Sequence, residues 1–266
     1  MSLIDDPLLE LSADKVLGGR VQITQPRSGH RAGHDAVLLA AAVPASPGDR
    51  ILDLGAGVGT AAFCLAARVP QCFLTLVEID PALAALAEQN AAANGYGNRT
   101  RVIVMDAEAR GTSREKAGLL VGQIDRVITN PPFHDAPRHR VSPGAARRLA
   151  HAGGDDLLAG FLRTAVAVLR PGGTVTLIHR ADRPEALIAA MKGRFGGITL
   201  RPVHPKPDAP AIRLIATGTK GSRAPTAILP GLVLQDAEGR PTPEAGAVLR
   251  EGRGLEPKKW RGLRIA

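Results

Sequence analysis

An α/β fold built on a mostly parallel sheet with helices on both faces is predicted by three features of the sequence. Short apolar or β-branched runs alternate with helix-forming segments from residue 50 to residue 217, the pattern that strand-helix-strand crossovers leave in a chain. The first of these strands runs directly into Asp53-Leu54-Gly55-Ala56-Gly57-Val58-Gly59, where glycines allow a sharp turn and a close backbone approach to a ligand. Four successive strands end in Asp53, Glu78, Asp106 and Asn130, and ligands of parallel sheets bind beyond the strand carboxyl ends.

Each element follows from local chemistry. Within residues 1–27, an N-terminal extension, Val21 and Ile23 alternate with polar neighbours as a short strand does. Residues 36–42 form an apolar helix, capped near His34 or Asp35 and halted by Pro44. Residues 50–54 are a strand and 60–68 the helix behind it. A second strand, 72–77, precedes a helix with Asp80 as N-cap, Pro81 at the first helical position and Asn94-Gly95 as its stop. Strands follow at 101–105 and 124–129, then a helix at 157–169, a turn at Pro171-Gly172-Gly173 and a strand at 174–179. A helix at 184–194 and strands at 198–204 and 212–217 close the series. Residues 218–251 read as a C-terminal extension with a short strand at 232–234 and a helix at 244–250. Residues 1–251 are expected to form one domain, followed by a flexible basic tail at 252–266.

Composition narrows the class. The chain of 266 residues has a formal charge of +9 with acids still frequent, which points to a polyanionic partner, RNA or DNA before a membrane surface. Two scattered cysteines, Cys64 and Cys72, make neither a disulfide framework nor a zinc site. His134, His139 and His151 lack compact ligand spacing, so no metal is expected. The longest apolar run, 36–43, is far short of the roughly 20 residues that span a membrane, and the acidic first ten residues are unlike a signal peptide. A cytoplasmic protein without membrane attachment is expected.

The spacing of the glycine turn is G-x-G-x-G with Asp53 two residues ahead of it. A carboxylate there repels a pyrophosphate and favours a cationic or zwitterionic ligand. Glu78 is placed for ribose hydroxyls and Asp106 for an adenine amino group. This arrangement resembles the class I S-adenosylmethionine-dependent methyltransferases. The resemblance implies a Rossmann-like, seven-stranded sheet with its last strand antiparallel. It also implies S-adenosyl-L-methionine as cofactor, with S-adenosyl-L-homocysteine as product, held by Asp35, Asp53, Gly55, Gly57, Glu78 and Asp106.

The strand at 124–129 stops in Asn130-Pro131-Pro132-Phe133. Methylating an aryl or amide nitrogen is difficult because its lone pair is delocalised. Acceptors on the two N–H groups favour a pyramidal nitrogen, and the Asn130 side-chain oxygen and the Pro131 carbonyl can supply them. Phe133 can stack on the ring that bears the amine, worth about 1–3 kcal/mol for a base. The segment from residue 134 to 154 that follows is rich in Arg and His, and Arg138, Arg140, Arg147 and Arg148 are candidate phosphate contacts. A solvated basic loop is the bland alternative.

The residues 25–39, the tetrad Asn130 to Phe133, the 138–143 loop and the 220–225 segment are similar to those of the bacterial tRNA1(Val) adenine-N6 methyltransferase family. That resemblance implies methyl transfer to the exocyclic N6 amine of an adenine in tRNA. Ribosomal RNA guanine-N2 transfer shares the tetrad and stays open, as does protein glutamine-N5 transfer, which the +9 charge disfavours. A non-catalytic RNA-binding protein that retains the fold is the alternative from a different class.

Overall fold

The computed structural model describes residues 10–27, 33–132 and 154–255, leaving out the side chains of residues 154 and 155. A hairpin comes first, β1 (Leu11–Val16) antiparallel to β2 (Val21–Pro26). Then follow α1 (His34–Ala42), β3 (Arg50–Leu54), α2 (Thr60–Arg68), β4 (Phe73–Glu78), α3 (Pro81–Ala93) and β5 (Thr100–Val104). A short helix α4 (Gly111–Lys116) precedes β6 (Ile124–Thr129), α5 (Gly154–Val168), β7 (Leu169–Arg180), α6 (Pro184–Met191), β8 (Phe195–His204) and β9 (Arg213–Lys220). Two short strands, β10 (Ala227–Ile228) and β11 (Leu232–Val233), and helix α7 (Pro243–Leu249) complete the described elements.

The main sheet runs β10-β8-β9-β7-β6-β3-β4-β5, with β11 also pairing with β8. Strands β3 to β7 are mutually parallel where they pair, and β9 lies antiparallel between β7 and β8. Strands β3 to β9 are thus the expected Rossmann-like seven-stranded sheet with its last strand antiparallel. The short β10 and β11 widen its β8 edge.

Strands covered on both faces carry near-continuous apolar runs, as in β3, where Ile51, Leu52 and Leu54 are all buried. One core cluster gathers Leu38, Leu39, Phe63 and Leu76 with Val21 and Ile23 of the hairpin. The second gathers Leu52, Val127, Leu158, Phe161, Leu162 and Leu187. Cys64 and Cys72 are buried and free. Among the described residues no helix is long and apolar enough to cross a membrane.

The start of α3 matches the expected chemistry, with Asp80 accepting from the Ala82 amide at 2.8 Å and Pro81 at the first position. Three local expectations need correction. Gly33, not His34 or Asp35, is the N-cap of α1, and it makes no side-chain cap. The reason is that the Asp35 carboxylate is taken by Arg213 of β9 at 2.8 Å. The Pro171-Gly172-Gly173 turn lies inside β7 as an irregularity, because Ile124 pairs with Leu169 while Arg126 already pairs with Thr174. The basic tail does not come free at Gly252: Leu255 is buried and its amide donates to the Ala41 carbonyl at 2.7 Å.

The hairpin is seated on α3 by two asparagines one turn apart. Asn94 accepts from the Gln22 amide at 2.9 Å and donates to the Gln22 carbonyl at 2.7 Å. Asn90, 1% exposed, accepts from the Thr24 amide at 2.8 Å and donates to the Thr24 and Val58 carbonyls at 3.0 and 3.1 Å. Replacing it leaves three backbone groups without their partner, so Asn90→Ala is expected to lower stability by about 3 kcal/mol. Urea unfolding followed by circular dichroism measures this, and a loss below about 1 kcal/mol contradicts the account.

Candidate active site

The glycine turn is fixed to the end of β4 by backbone and side chain together. The amides of Gly55 and Ala56 donate to the Val77 carbonyl at 2.9 and 3.0 Å, and the Gly57 amide donates to Glu78 Oε2 at 2.8 Å. Glu78 Oε1 accepts from the Ile79 and Asp80 amides at 2.9 and 3.0 Å. The carboxylate expected at a ribose therefore also ties the turn to the next crossover.

Two of the glycines serve different ends. A Cβ on Gly59, at φ +87°, would meet the Phe63 ring at 2.4 Å, so this glycine is required by packing and by conformation. At Gly57, φ is +55° and a Cβ would meet nothing within 4 Å. The turn there faces open space, as a backbone that receives a ligand must.

That space is a cleft of about 400 Å³ whose lining includes Asp35, Asp53, Gly55, Gly57, Asn130 and Arg213. Thr60 also lines it, and Asp53 Oδ2, Thr60 Oγ1 and Asn130 Oδ1 are all buried with no hydrogen-bond partner among the described residues. Buried polar atoms are rarely left so, because each unsatisfied group costs about 1–3 kcal/mol. Three of them belong to residues that line one cleft, a concentration of unsatisfied polar atoms suited to a polar ligand.

Asp53 is 3% exposed, and burial pushes its carboxyl up to about 7, the Ala62 backbone opposing this and the Glu78 charge adding to it. The Glu78 carboxyl is also raised, chiefly by burial, against the lowering effect of the amides it accepts from. An acid held at about 7 beside the cleft, as Asp53 is, ionises more readily when positive charge arrives.

The acceptor residue stands on the neighbouring strand. Leu54 pairs with Thr129 in the β3–β6 register, and Thr129 Oγ1 donates to the Leu54 carbonyl at 2.8 Å. Gly55 and Asn130 therefore leave the sheet side by side. Pro131 is buried and Pro132 exposed. Phe133, Arg138, Arg140, Arg147 and Arg148 lie outside the described residues.

The expected cofactor set is only partly brought together. Asp35, Asp53, Gly55 and Gly57 line the cleft, and Glu78 joins them through Gly57. Asp106 does not line it; it stands beyond β5, with its Oδ1 accepting from the Glu108 amide at 2.9 Å. Sequence reasoning missed Thr60 and Arg213. Thr60 had a signal, a hydroxyl directly after the last glycine of the turn. Arg213 had none, since its partner Asp35 is 178 residues away. Among the described residues no group of three or more His, Cys, Asp or Glu could hold a metal.

Fold and site together define a methyltransferase of Rossmann-like architecture. The model of the methyltransferase small domain family matches residues 28–201, and the chain belongs to that family. A tRNA1(Val) (adenine(37)-N6)-methyltransferase of Tolumonas auensis is 30% identical over 230 residues, 86% of each chain. One of Porphyromonas gingivalis with the same name is 33% identical over 174 residues, 63% of this chain and 66% of that one. Among solved structures, a predicted O-methyltransferase from Agrobacterium tumefaciens superposes with a TM-score of 0.72 at 30% identity, over 85% of this chain and 99% of that one. The 16S rRNA N2 G1207 methyltransferase of T. thermophilus, at 21% identity and TM-score 0.53 over 80% and 51% of the chains, shares the fold.

The raised Asp53 gives a signed pH dependence. Between its ordinary value of 3.8 and about 7, the folded protein keeps a proton that the unfolded chain has lost. This contribution to stability is therefore fully present at low pH and is lost as pH rises through 7. Asp53→Asn removes it, so the stability of the variant relative to wild type is expected to increase from pH 5 to pH 8. Urea midpoints of both proteins at the two pH values provide the check, and a constant difference contradicts the assignment.

Proposed function

We propose that the protein transfers a methyl group from S-adenosylmethionine to the exocyclic N6 amine of an adenine in tRNA. The observation that carries this reading is Asn130 Oδ1, a buried acceptor without a partner among the described residues, on a residue that lines the same cleft as the glycine turn. The relatives named for adenine-N6 transfer support the choice of base and of tRNA.

The residues of the cleft suit this cofactor. Gly57 leaves room above the turn, and Asp53 presents a carboxylate beside the Asp35–Arg213 ion pair, a polar lining suited to a zwitterion that also bears a sulfonium. When bound, S-adenosylmethionine supplies an electrophilic methyl group. Glu78 keeps lone pairs for ribose hydroxyls while its hydrogen bonds hold the turn in place, and Asp106 is proposed for the adenine edge of the cofactor. Ionised Asp53 favours a cationic ligand over the neutral sulfur of S-adenosylhomocysteine, which helps the product leave.

At the acceptor, Asn130 Oδ1 takes one N–H of the target amine and the Pro131 carbonyl takes the other. Together they turn the nitrogen lone pair toward the methyl group and stabilise the positive charge that develops on nitrogen. The proton released after transfer needs no strong base, because the methylated amine is strongly acidic until it loses one. Buried Pro131 and the adjoining Pro132 fix the backbone that carries these acceptors. Phe133 is proposed to stack on the flipped base, repaying part of the few kcal/mol that unstacking costs. Arg138, Arg140, Arg147 and Arg148 are proposed to hold phosphates around it, in keeping with the charge of +9.

Removing one preorganised acceptor is expected to cost about 10²–10³ in turnover. Asn130→Ala should therefore abolish most transfer of labelled methyl to tRNA while S-adenosylhomocysteine binding by calorimetry changes little. Nucleoside mass spectrometry of tRNA from a deletion strain is expected to show loss of N6-methyladenosine, and tRNA that keeps its full content refutes the reading. Wild-type protein that binds RNA yet transfers no methyl group would establish the binding-only alternative.

A further inference from the structure

A second cavity, about 550 Å³, adjoins the first and shares Gly33 and His34 with it. Apart from Val37, its other walls come from parts of the chain outside residues 28–201, the region that matches the family. The β1–β2 hairpin contributes Asp14, Lys15 and Gln25, and the C-terminal helix α7 and its end contribute Gly246 and Arg250. The two pieces meet closely: a Cβ on Gly18, at φ +64°, would stand 3.0 Å from the Arg250 carbonyl oxygen. The cavity is thus built mainly by elements outside the matched region, placed beside the first cleft.

Its chemistry is that of a nucleotide site. Asp14 Oδ2 accepts from Gln25 Nε2 and from Ser12 Oγ, both at 2.8 Å, so the carboxylate is held in one orientation. Gln25 itself is only 3% exposed. Lys15 and Arg250 line the same cavity and form no ion pair among the described residues. Leu17, Val37 and Leu249 supply apolar surface. A fixed carboxylate suits the amino group of a base, two cations suit its phosphate, and the volume lies within the range of small-ligand pockets.

We infer that this cavity is a second nucleotide subsite, which takes an unpaired base next to the methylated one in the RNA strand. Asp14 accepts from its exocyclic amine, and Lys15 and Arg250 face the phosphate. Sequence-specific RNA recognition reads bases splayed out of single strands, and flanking nucleotides set the context in which a flipped base is modified. The inference rests on the RNA reading given above. It adds that substrate choice resides in the hairpin and α7, outside the residues that perform the transfer.

Gly246 provides the test, because a Cβ there meets nothing within 4 Å and a helical glycine gains stability from substitution. Gly246→Leu fills the cavity, and Gly246→Ala serves as control. With a tRNA stem-loop as substrate, the leucine variant is expected to raise KM for RNA roughly tenfold, the effect of one lost base contact. Its kcat, its melting temperature and its affinity for S-adenosylhomocysteine should stay near those of wild type. An abasic site at the flanking position should weaken wild type and leave Gly246→Leu unchanged. Lys15→Gln, which leaves the cavity open, should reduce the salt dependence of RNA binding by about one phosphate contact. An active wild type whose KM and salt slope are matched by both variants overturns the inference alone. A wild type that transfers no methyl group to any RNA overturns the parent reading and this one with it.

Discussion

The parallel register that sets Leu54 beside Thr129 decides where everything chemical in this protein stands. With that pairing, the chain leaves β3 through the glycine turn and leaves β6 through Asn130, and the two exits are adjacent. The Thr129 hydroxyl on the Leu54 carbonyl contributes about 1 kcal/mol, but the larger constraint is burial. Leu52, Leu54, Val127 and Ile128 have no measurable exposure, and a slip of one residue would send each to the opposite face of the sheet. A different register would separate the glycine turn from the Asn130 amide. The third party to the arrangement is β4, whose Val77 carbonyl and Glu78 carboxylate hold the turn from the other side.

The same region concentrates unfavourable terms. Asp53 and Glu78 are both buried acids, and the Glu78 charge adds to the cost of ionising Asp53, while three polar atoms of residues lining the cleft have no partner among the described residues. A fold selected only for stability would replace Asp53 with an apolar residue, since the β3 positions around it are all apolar and buried. Retaining it is consistent with a site whose ligand brings the missing charge and hydrogen bonds. The free protein is thus destabilised where a ligand with the complementary charge and hydrogen bonds would restore the balance.

How much of this was legible in the sequence follows from how local each determinant is. The strand ends at Asp53, Glu78 and Asn130, the turn between them and the Asp80-Pro81 helix start depend on neighbouring residues, and all stand where the sequence places them. Strand β1 gave no clear sign because its inward positions are mostly polar: half-buried Ser12, Asp14 and Val16 pair with the buried Gln25, Ile23 and Val21. The α1 cap failed for a tertiary reason. His34 and Asp35 are good first-turn residues, but the arginine that claims Asp35 arrives from β9, and no periodicity announces such a pairing. The glycine at Gly172 signalled a turn correctly, yet the sheet absorbed it as an irregular stretch of β7 because Ile124 and Arg126 hold both flanks in register.

The additions to the sheet are coupled to the site through one side chain. Asn90 bonds to Thr24 of the hairpin and to the Val58 carbonyl inside the glycine turn with the same carboxamide. A carboxamide is planar and rigid, so the hairpin cannot shift on α3 without lengthening a hydrogen bond to the turn. The Leu255 amide on the Ala41 carbonyl does the same for the C-terminal end, anchoring it to α1, the helix whose first residues line both cavities. Each outer element is therefore attached to one that borders the first cleft.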